Sequence, residues 1–180
     1  MGKQLWKPGN MLYPLPVVMV SLADRDGRPN IITLAWVGTV CTNPPMVSIS
    51  VRPERYSYPI LKESGEFVIN LTTKELAFAT DYCGVKSGRD VDKFKEMGLT
   101  PIPASEVKAP MIKESPVNIE CKVRQILPLG SMICSWRMWW QYMPMKNIWM
   151  RSTNSTWSRR NPSSIPAVPI SAVANCWEPS

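Results

Sequence analysis

Two arginines and several hydroxyl side chains stand close together in the first third of the chain. Ser48, Ser50 and Arg52 alternate with apolar residues, and Arg55 and Ser57 follow directly. Guanidinium groups bind phosphate through paired hydrogen bonds, and free N–H groups at a helix start favour anions. Because Ser57 falls where a helix is predicted to begin, this stretch predicts a phosphate-binding site. The alternative is a hairpin whose polar face is only solvated, with Ser57 as an ordinary N-cap.

The composition excludes several other kinds of site. The 180 residues include no histidine, so Ser-His-Asp and Cys-His catalytic arrangements and histidine metal sites are absent. Neither GxGxxG nor a P-loop occurs. The five cysteines form no CxxC pair and support neither a disulfide framework nor a zinc site. These exclusions leave a phosphate-binding site as the chemistry that the residue types themselves predict.

A predicted β-hairpin and a short helix position these residues. Ile31–Thr39 is rich in β-branched and apolar residues and predicts the first strand. Asn43-Pro44-Pro45 then forces a turn, because proline cannot donate to a sheet ladder. Met46–Arg52 alternates and predicts a second strand with one apolar and one polar face. The predicted helix, Tyr58–Ser64, ends at Gly65.

The rest of the first 130 residues predicts mostly strands with short helices in the connections. This pattern is typical of a β-barrel or sandwich rather than a parallel α/β sheet. We expect one domain over residues 11–130, preceded by a loosely held lead-in at residues 1–10. Further strands are predicted at Pro16–Ala23, Phe67–Leu71 and Pro116–Leu127, and helices at Lys74–Tyr82, capped by Thr72 or Thr73 and closed by Gly84, and at Asp90–Met97.

Four motifs in order resemble the flavin reductase-like family. They are ITLAWVGTVCTNPPMVSISVRPERYSY, FVINLTTKELA, CGVKSGRDVDKF and PVNIECKV. The resemblance covers about residues 11–130. It implies a mainly β fold with short helices, namely an FMN-binding split β-barrel.

The resemblance also implies which residues contact the flavin. Ring and ribityl contacts are expected from Ala35, Trp36, Val37 and Thr39. The phosphate and ribityl side is expected at Ser48, Ser50, Arg52, Arg55, Tyr56 and Ser57. Asn70 and Thr72 end a nearby strand, while Lys86, Ser87 and Lys93 can reach the cofactor region of the partner chain in such dimers. Each has a plain structural alternative: Trp36 as core, Asn70 as a satisfied amide, the basic loop as solvated surface.

The function implied is an oxidoreductase that passes hydride or electrons from NAD(P)H through FMN to an acceptor. The alternatives are an FMN-binding electron carrier without NAD(P)H activity and a truncated, inactive copy. We expect a cytoplasmic homodimer when intact, with flavin, nicotinamide and an electron-transfer protein as partners and with no metal and no membrane. The formal charge of +7 divides into +3 for residues 1–130 and +4 for residues 131–180. The body therefore has an ordinary solvated surface, and we expect no nucleic-acid partner.

The composition changes abruptly at Ser131. The last 50 residues hold six of eight tryptophans and five of eleven methionines but no glycine. Three explanations compete: a genuine tryptophan-rich segment, a disordered tail, or a frameshift. We expect a tail at residues 131–180 without a stable fold and a barrel that has lost its C-terminal strands, which would leave an edge of unpaired backbone groups.

The genetic code favours the frameshift. Tryptophan and methionine each have one codon, so shifting the frame by one base forces several residues. Met138, Trp139 and Trp140 then give Val-Val-Ala, a segment suited to a strand. Ser131 and Met132 can give His-Asp, which would supply the histidine that the chain lacks. We therefore hypothesise a frameshift at about codon 131.

Overall fold

The computed structural model describes residues 3–10, 12–138, 149–151 and 157–159. Three helices lie within these ranges: α1 (Ser57–Ser64), α2 (Ala77–Val85) and α3 (Lys93–Glu96). The strands are β1 (Val18–Ala23), β2 (Pro29–Leu34), β3 (Val37–Thr42), β4 (Pro45–Val51), β5 (Glu66–Leu71), β6 (Pro101–Ile102), β7 (Met111–Ile112), β8 (Val117–Leu129), β9 (Met132–Met138), β10 (Trp149–Arg151) and β11 (Trp157–Arg159).

The main sheet is antiparallel and curls into a split barrel. Its strand order is β2-β1-β5-β8-β9-β4-β3, with β10 pairing both β8 and β11. β2 and β3 lie at opposite ends of this order, yet only Ala35 and Trp36 separate them in the chain. The sheet must therefore bend back on itself. β8 makes this possible because its first part pairs with β5 and its remainder, from Val123, pairs with β9.

Apolar residues on alternate positions fill the barrel. Val18, Val20 and Leu22 of β1 pack with Phe67 and Ile69 of β5 in the core cluster. Burial of each such side chain is worth about 2 kcal/mol. On the other face of β1, Met19 packs against residues of α2 and α3, and all six residues of this strand are buried. The structure thus confirms a mainly β split barrel with short helices in the connections.

The structure changes the predicted strand over residues 31–39. It divides at Ala35 and Trp36, so that β2 pairs with β1 while β3 pairs with β4. The prediction of one continuous strand was wrong because alternation alone does not show where a strand changes sheets. The predicted proline turn lies between β3 and β4, as expected.

The predicted end of α1 is confirmed, whereas both predicted boundaries of α2 differ from the structure. Gly65 ends α1 in the left-handed conformation (φ 63°), as predicted. Gly84 does not end α2, which continues through it to Val85. This glycine allows α2 to pack closely on β2, since a Cβ there would lie 3.2 Å from the Cβ of Thr33, which is a tight contact. Thr72 does not cap α2 either; its hydroxyl donates to the Val17 carbonyl at 2.8 Å.

Helices long and apolar enough to span a bilayer are absent from the described part of the chain. The same residues contain no group of three histidine, cysteine or acidic side chains that could hold a metal ion. Cys121 packs in the barrel core, and Cys41, Cys83 and Cys121 are free thiols.

The predicted tail overlaps the described residues in part. β9 lies within it and pairs through its backbone with both β8 and β4. The short strands β10 and β11 also lie within it. Most of residues 139–180 lie outside the described residues, so the frameshift and the tail's lack of a stable fold stay predictions.

Candidate functional site

The outer surface of the β3–β4 hairpin is open and lined by small residues. Val37 lies opposite Ile49, and both face the barrel core. The alternate residues therefore face outward, with Gly38 opposite Ser48. No heavy atom lies within 4 Å of the position that a Cβ on Gly38 would occupy. This side of the hairpin can admit a flat ligand.

Trp36 and Ser50 extend the same surface. The Ser50 N–H donates to the Trp36 carbonyl at 2.9 Å, which continues the ladder past the end of β3. The Trp36 side chain is 46% exposed, so it is not a core residue. We call the surface formed by Trp36, Gly38, Ser48 and Ser50 the hairpin face.

The other residues expected at the flavin ring lie elsewhere on the hairpin. Val37 packs against the barrel core, and Thr39 is directed to the same side, although it is exposed. Ala35 is half-buried in the break between β2 and β3. Of these four residues, therefore, Trp36 alone borders the open surface.

A cluster of cationic residues begins where β4 ends. Arg52 follows Ser48 and Ser50 in the alternation of β4 and is exposed. The chain then turns tightly, since the Arg55 N–H donates to the Arg52 carbonyl at 3.1 Å. Among the described residues, neither the Arg52 nor the Arg55 guanidinium makes an ion pair. Both positive charges are therefore available to an anion.

The loop after α2 packs against the start of α1. The Arg89 guanidinium carbon lies 5.9 Å from the centroid of the Tyr56 ring, within range of a cation–π contact. A Cβ on Gly88 would lie 3.1 Å from a Tyr56 ring carbon, so the loop backbone closely approaches this ring. We call Arg52, Arg55, Tyr56 and Ser57, together with the loop Lys86–Arg89, the basic corner. The structure thus brings together two motifs that the sequence separates by some 30 residues.

Lys93 lies beneath this corner rather than on its surface. It is 4% exposed, and its ammonium group donates to the Ile31 carbonyl at 2.7 Å and the Cys83 carbonyl at 2.8 Å. Burial lowers the pKa of Lys93 to about 8, and the charge of Arg55 acts in the same direction. Burial also raises the pKa of the Cys83 thiol to about 11, so this thiol is protonated at neutral pH. The lysine therefore joins β2 to the end of α2 and supports the corner from inside.

Asn70 and Thr72 are placed away from the basic corner. The Asn70 amide nitrogen donates to the Met19 carbonyl at 3.0 Å and to the Ser21 hydroxyl at 2.9 Å. Its oxygen accepts from the Ile112 N–H and the Asn118 amide. Every hydrogen-bonding group of this amide is thus used inside the protein, which agrees with the alternative that Asn70 is a satisfied structural amide rather than a flavin contact.

The sequence did not single out Asn30, which the structure places at the corner. It is 6% exposed, and its amide nitrogen donates to the Ser57 hydroxyl at 2.8 Å. In the sequence it follows Arg-Pro, at the end of a segment whose composition is typical of a turn. The feature of the sequence that could have pointed to Asn30 is a polar residue immediately before the apolar run of β2.

The fold and the site define a split barrel in which an open hairpin face leads into a corner rich in cationic residues. A family model described as "Flavin reductase like domain" matches residues 10–138. The chain therefore belongs to the flavin reductase-like domain family. The match continues eight residues beyond Gly130, through the end of β9.

Individual proteins support this assignment. An uncharacterized protein of Archaeoglobus fulgidus is 33% identical over 119 residues, which are 66% of each chain. The alignment thus spans just under two thirds of that relative. The structure of flavoredoxin from Desulfovibrio vulgaris (Miyazaki F) is similar with a TM-score of 0.69 and 28% identity, covering 95% of this chain and 100% of the flavoredoxin.

A further structure agrees in fold. It is an FMN-binding protein from Thermus thermophilus, with a TM-score of 0.66 and 19% identity over 77% of this chain and 76% of that one. At this identity the likeness shows the fold alone. Family membership thus agrees with both the sequence relatives and the structures of similar fold.

Proposed function

We propose that this chain binds FMN, with the flavin ring on the hairpin face and the phosphate at the basic corner. The observation that carries the proposal is the continuity of the two surfaces. Ser48, Ser50 and Arg52 alternate along β4, so the small polar residues lead directly to an unpaired guanidinium. A flat ring, a polyhydroxyl chain and a phosphate, in this order, match that sequence of surfaces.

The residues present fit the cofactor. The open space over Gly38 admits a planar ring, and the exposed Trp36 indole borders it. The hydroxyls of Ser48 and Ser50 can exchange hydrogen bonds with a ribityl chain. The Arg52 and Arg55 guanidinium groups can bind phosphate bidentately and balance its negative charge.

We propose further that the protein acts as an oxidoreductase of the flavin reductase type, with NAD(P)H as reductant. When bound, FMN supplies the chemistry, which is to take up hydride and pass electrons to an acceptor. The chain's own residues bind and orient the ring and hold the phosphate. No histidine is present to act as an acid or base, which agrees with a protein that contributes position and charge.

A homodimer is part of the proposal. Phe78 and Val85 are seven residues apart on α2, so they lie on one face of the helix, and they are 74% and 70% exposed. Exposed apolar residues that share a face can form a contact with a partner. α2 leads directly into the loop Lys86–Arg89. A second copy packed on this helix would therefore lie beside the basic corner.

The test is an FMN titration of the full chain and of Gly38→Trp, followed by the quenching of flavin fluorescence. A tryptophan side chain would fill the hairpin face, so we expect FMN affinity to fall at least about tenfold. Gly9→Trp, the same exchange in the exposed lead-in, is the matched control and should bind like the parent. Equal affinity of Gly38→Trp and the parent would exclude the hairpin face as the ring site.

Reduction separates the proposed activity from its alternative. NAD(P)H added to the FMN complex without oxygen should bleach the flavin absorbance if the chain is a reductase. An unbleached complex that dithionite still reduces would indicate an electron carrier without NAD(P)H activity.

A further inference from the structure

The Asn30 side chain lies between the two halves of the basic corner. It belongs to β2, where its backbone pairs with Leu22 of β1. Its amide nitrogen donates to the hydroxyl of Ser57, the first residue of α1. Both side chains are buried, so water does not compete for this hydrogen bond.

The amide oxygen faces the other half of the corner. A Cβ on Gly88 would lie 2.0 Å from the Asn30 Oδ1 atom and 2.8 Å from Cγ. Contacts this short do not occur between real atoms, so the loop can take this position only with glycine at residue 88. The amide of Asn30 is therefore held between Ser57 on one side and the Gly88 backbone on the other.

This arrangement fixes two cationic stretches relative to each other. Ser57 is two residues from Arg55, and Gly88 is adjacent to Arg89, whose guanidinium lies over Tyr56. A change in the amide would let the loop move relative to the helix start. The Arg55 and Arg89 side chains would then change position relative to each other.

The polarity of the hydrogen bond has a second consequence. Because Asn30 donates into the oxygen of Ser57, the hydroxyl proton of Ser57 is left to donate elsewhere. An aspartate at residue 30 would accept that proton instead and would add a negative charge to the corner.

We propose that Asn30 is a positioning residue of the basic corner and that, through it, the corner selects the phosphorylated flavin FMN over riboflavin. The inference rests on the proposed function. Asn30 does not contact the flavin in this account; it holds the helix start and the loop at the spacing that a phosphate requires.

The experiment measures the dissociation constants of FMN and riboflavin for the full chain and three variants. Asn30→Ala removes the amide, Asn30→Asp reverses the hydrogen bond, and Gly88→Ala displaces the loop while keeping Asn30. We expect each to weaken FMN binding about tenfold, and Asn30→Asp more, while riboflavin affinity changes less than about twofold. The ratio of the two constants is the readout.

The matched control is Asn118→Ala, which removes another fully buried amide. It should alter both affinities equally, as a purely structural defect would. Gly88→Ala keeps the test decisive if Asn30→Ala fails to fold. If the parent prefers FMN and neither Asn30→Asp nor Gly88→Ala lowers that preference, the inference is overturned while the proposed function stands. If the parent binds neither flavin, the proposed function fails and the inference with it.

Discussion

Lys93 should make the stability of the fold depend on pH. Its ammonium group is buried and donates to the carbonyls of Ile31 and Cys83. Burial lowers the pKa of Lys93 from 10.5 to about 8. In the unfolded chain the same amine is exposed to water and keeps its ordinary pKa. Between these two values, the unfolded state therefore binds more protons than the folded state.

This difference makes the free energy of unfolding depend on pH. Stability rises with pH wherever the unfolded state binds more protons. The slope approaches about 1.4 kcal/mol per pH unit between the two pKa values of Lys93. Raising the pH from about 7 to about 9.5 should therefore add about 2 kcal/mol through this group.

Lys93→Met isolates the effect, because the other titrating groups are common to both proteins. We expect the stability of the parent relative to Lys93→Met to increase by about 2 kcal/mol over this range. Urea unfolding followed by circular dichroism measures it. Lys95→Met, at an exposed lysine of the same helix, is the matched control and should show no such increase. A stability difference that stays constant or falls with pH would refute the assignment of Lys93 as a buried cation.

Three more predictions follow from other parts of the molecule. Asn70→Ala should lower the free energy of unfolding by about 3 kcal/mol in urea titrations, because it leaves buried partners unpaired. The ratio of FMN to riboflavin affinity should not change, and a change would place Asn70 in the site. Gly65→Ala should cost about 1 kcal/mol in the same assay, because φ is 63° there; a neutral result would contradict the left-handed C-cap. Sequencing the gene across codon 131 should reveal a frame error, and an intact frame shared by close relatives would refute the frameshift.

Local sequence patterns predicted the parts of the fold that depend on local physics. Alternation in β4 placed Val47, Ile49 and Val51 on the core side. Gly65 was identified as the end of α1 because a left-handed C-cap is usually a glycine, whatever the surrounding fold. The order of the motifs indicated the family, and the family indicated the split barrel.

Contacts between distant segments could not be predicted in this way. Glycine is typical of a helix end, yet Gly84 lies within α2, where it faces Thr33 of β2. Lysine is usually a surface residue, yet the ammonium group of Lys93 is buried and donates hydrogen bonds to two carbonyls. Asn30 was missed because its partner, Ser57, is 27 residues away and the hydrogen bond exists only after the barrel closes.

The residues expected at the flavin divide into those close in sequence and those brought together by the fold. Arg52, Arg55, Tyr56 and Ser57 are adjacent in sequence, so their proximity was a local prediction. The position of the loop Lys86–Arg89 against Tyr56 depends on how α2 packs on β2. The sequence could name this loop as a candidate only through the family resemblance.

An equilibrium titration of FMN into this chain, beside a version with the frame restored from codon 131, tests the central claim most directly. We expect saturable quenching of flavin fluorescence by both proteins at one FMN per chain, since the hairpin face and the basic corner lie within residues 30–93. Binding by the restored chain alone would show that this product is an inactive copy whose altered tail disables the site. Absence of binding by both would contradict the flavin site itself.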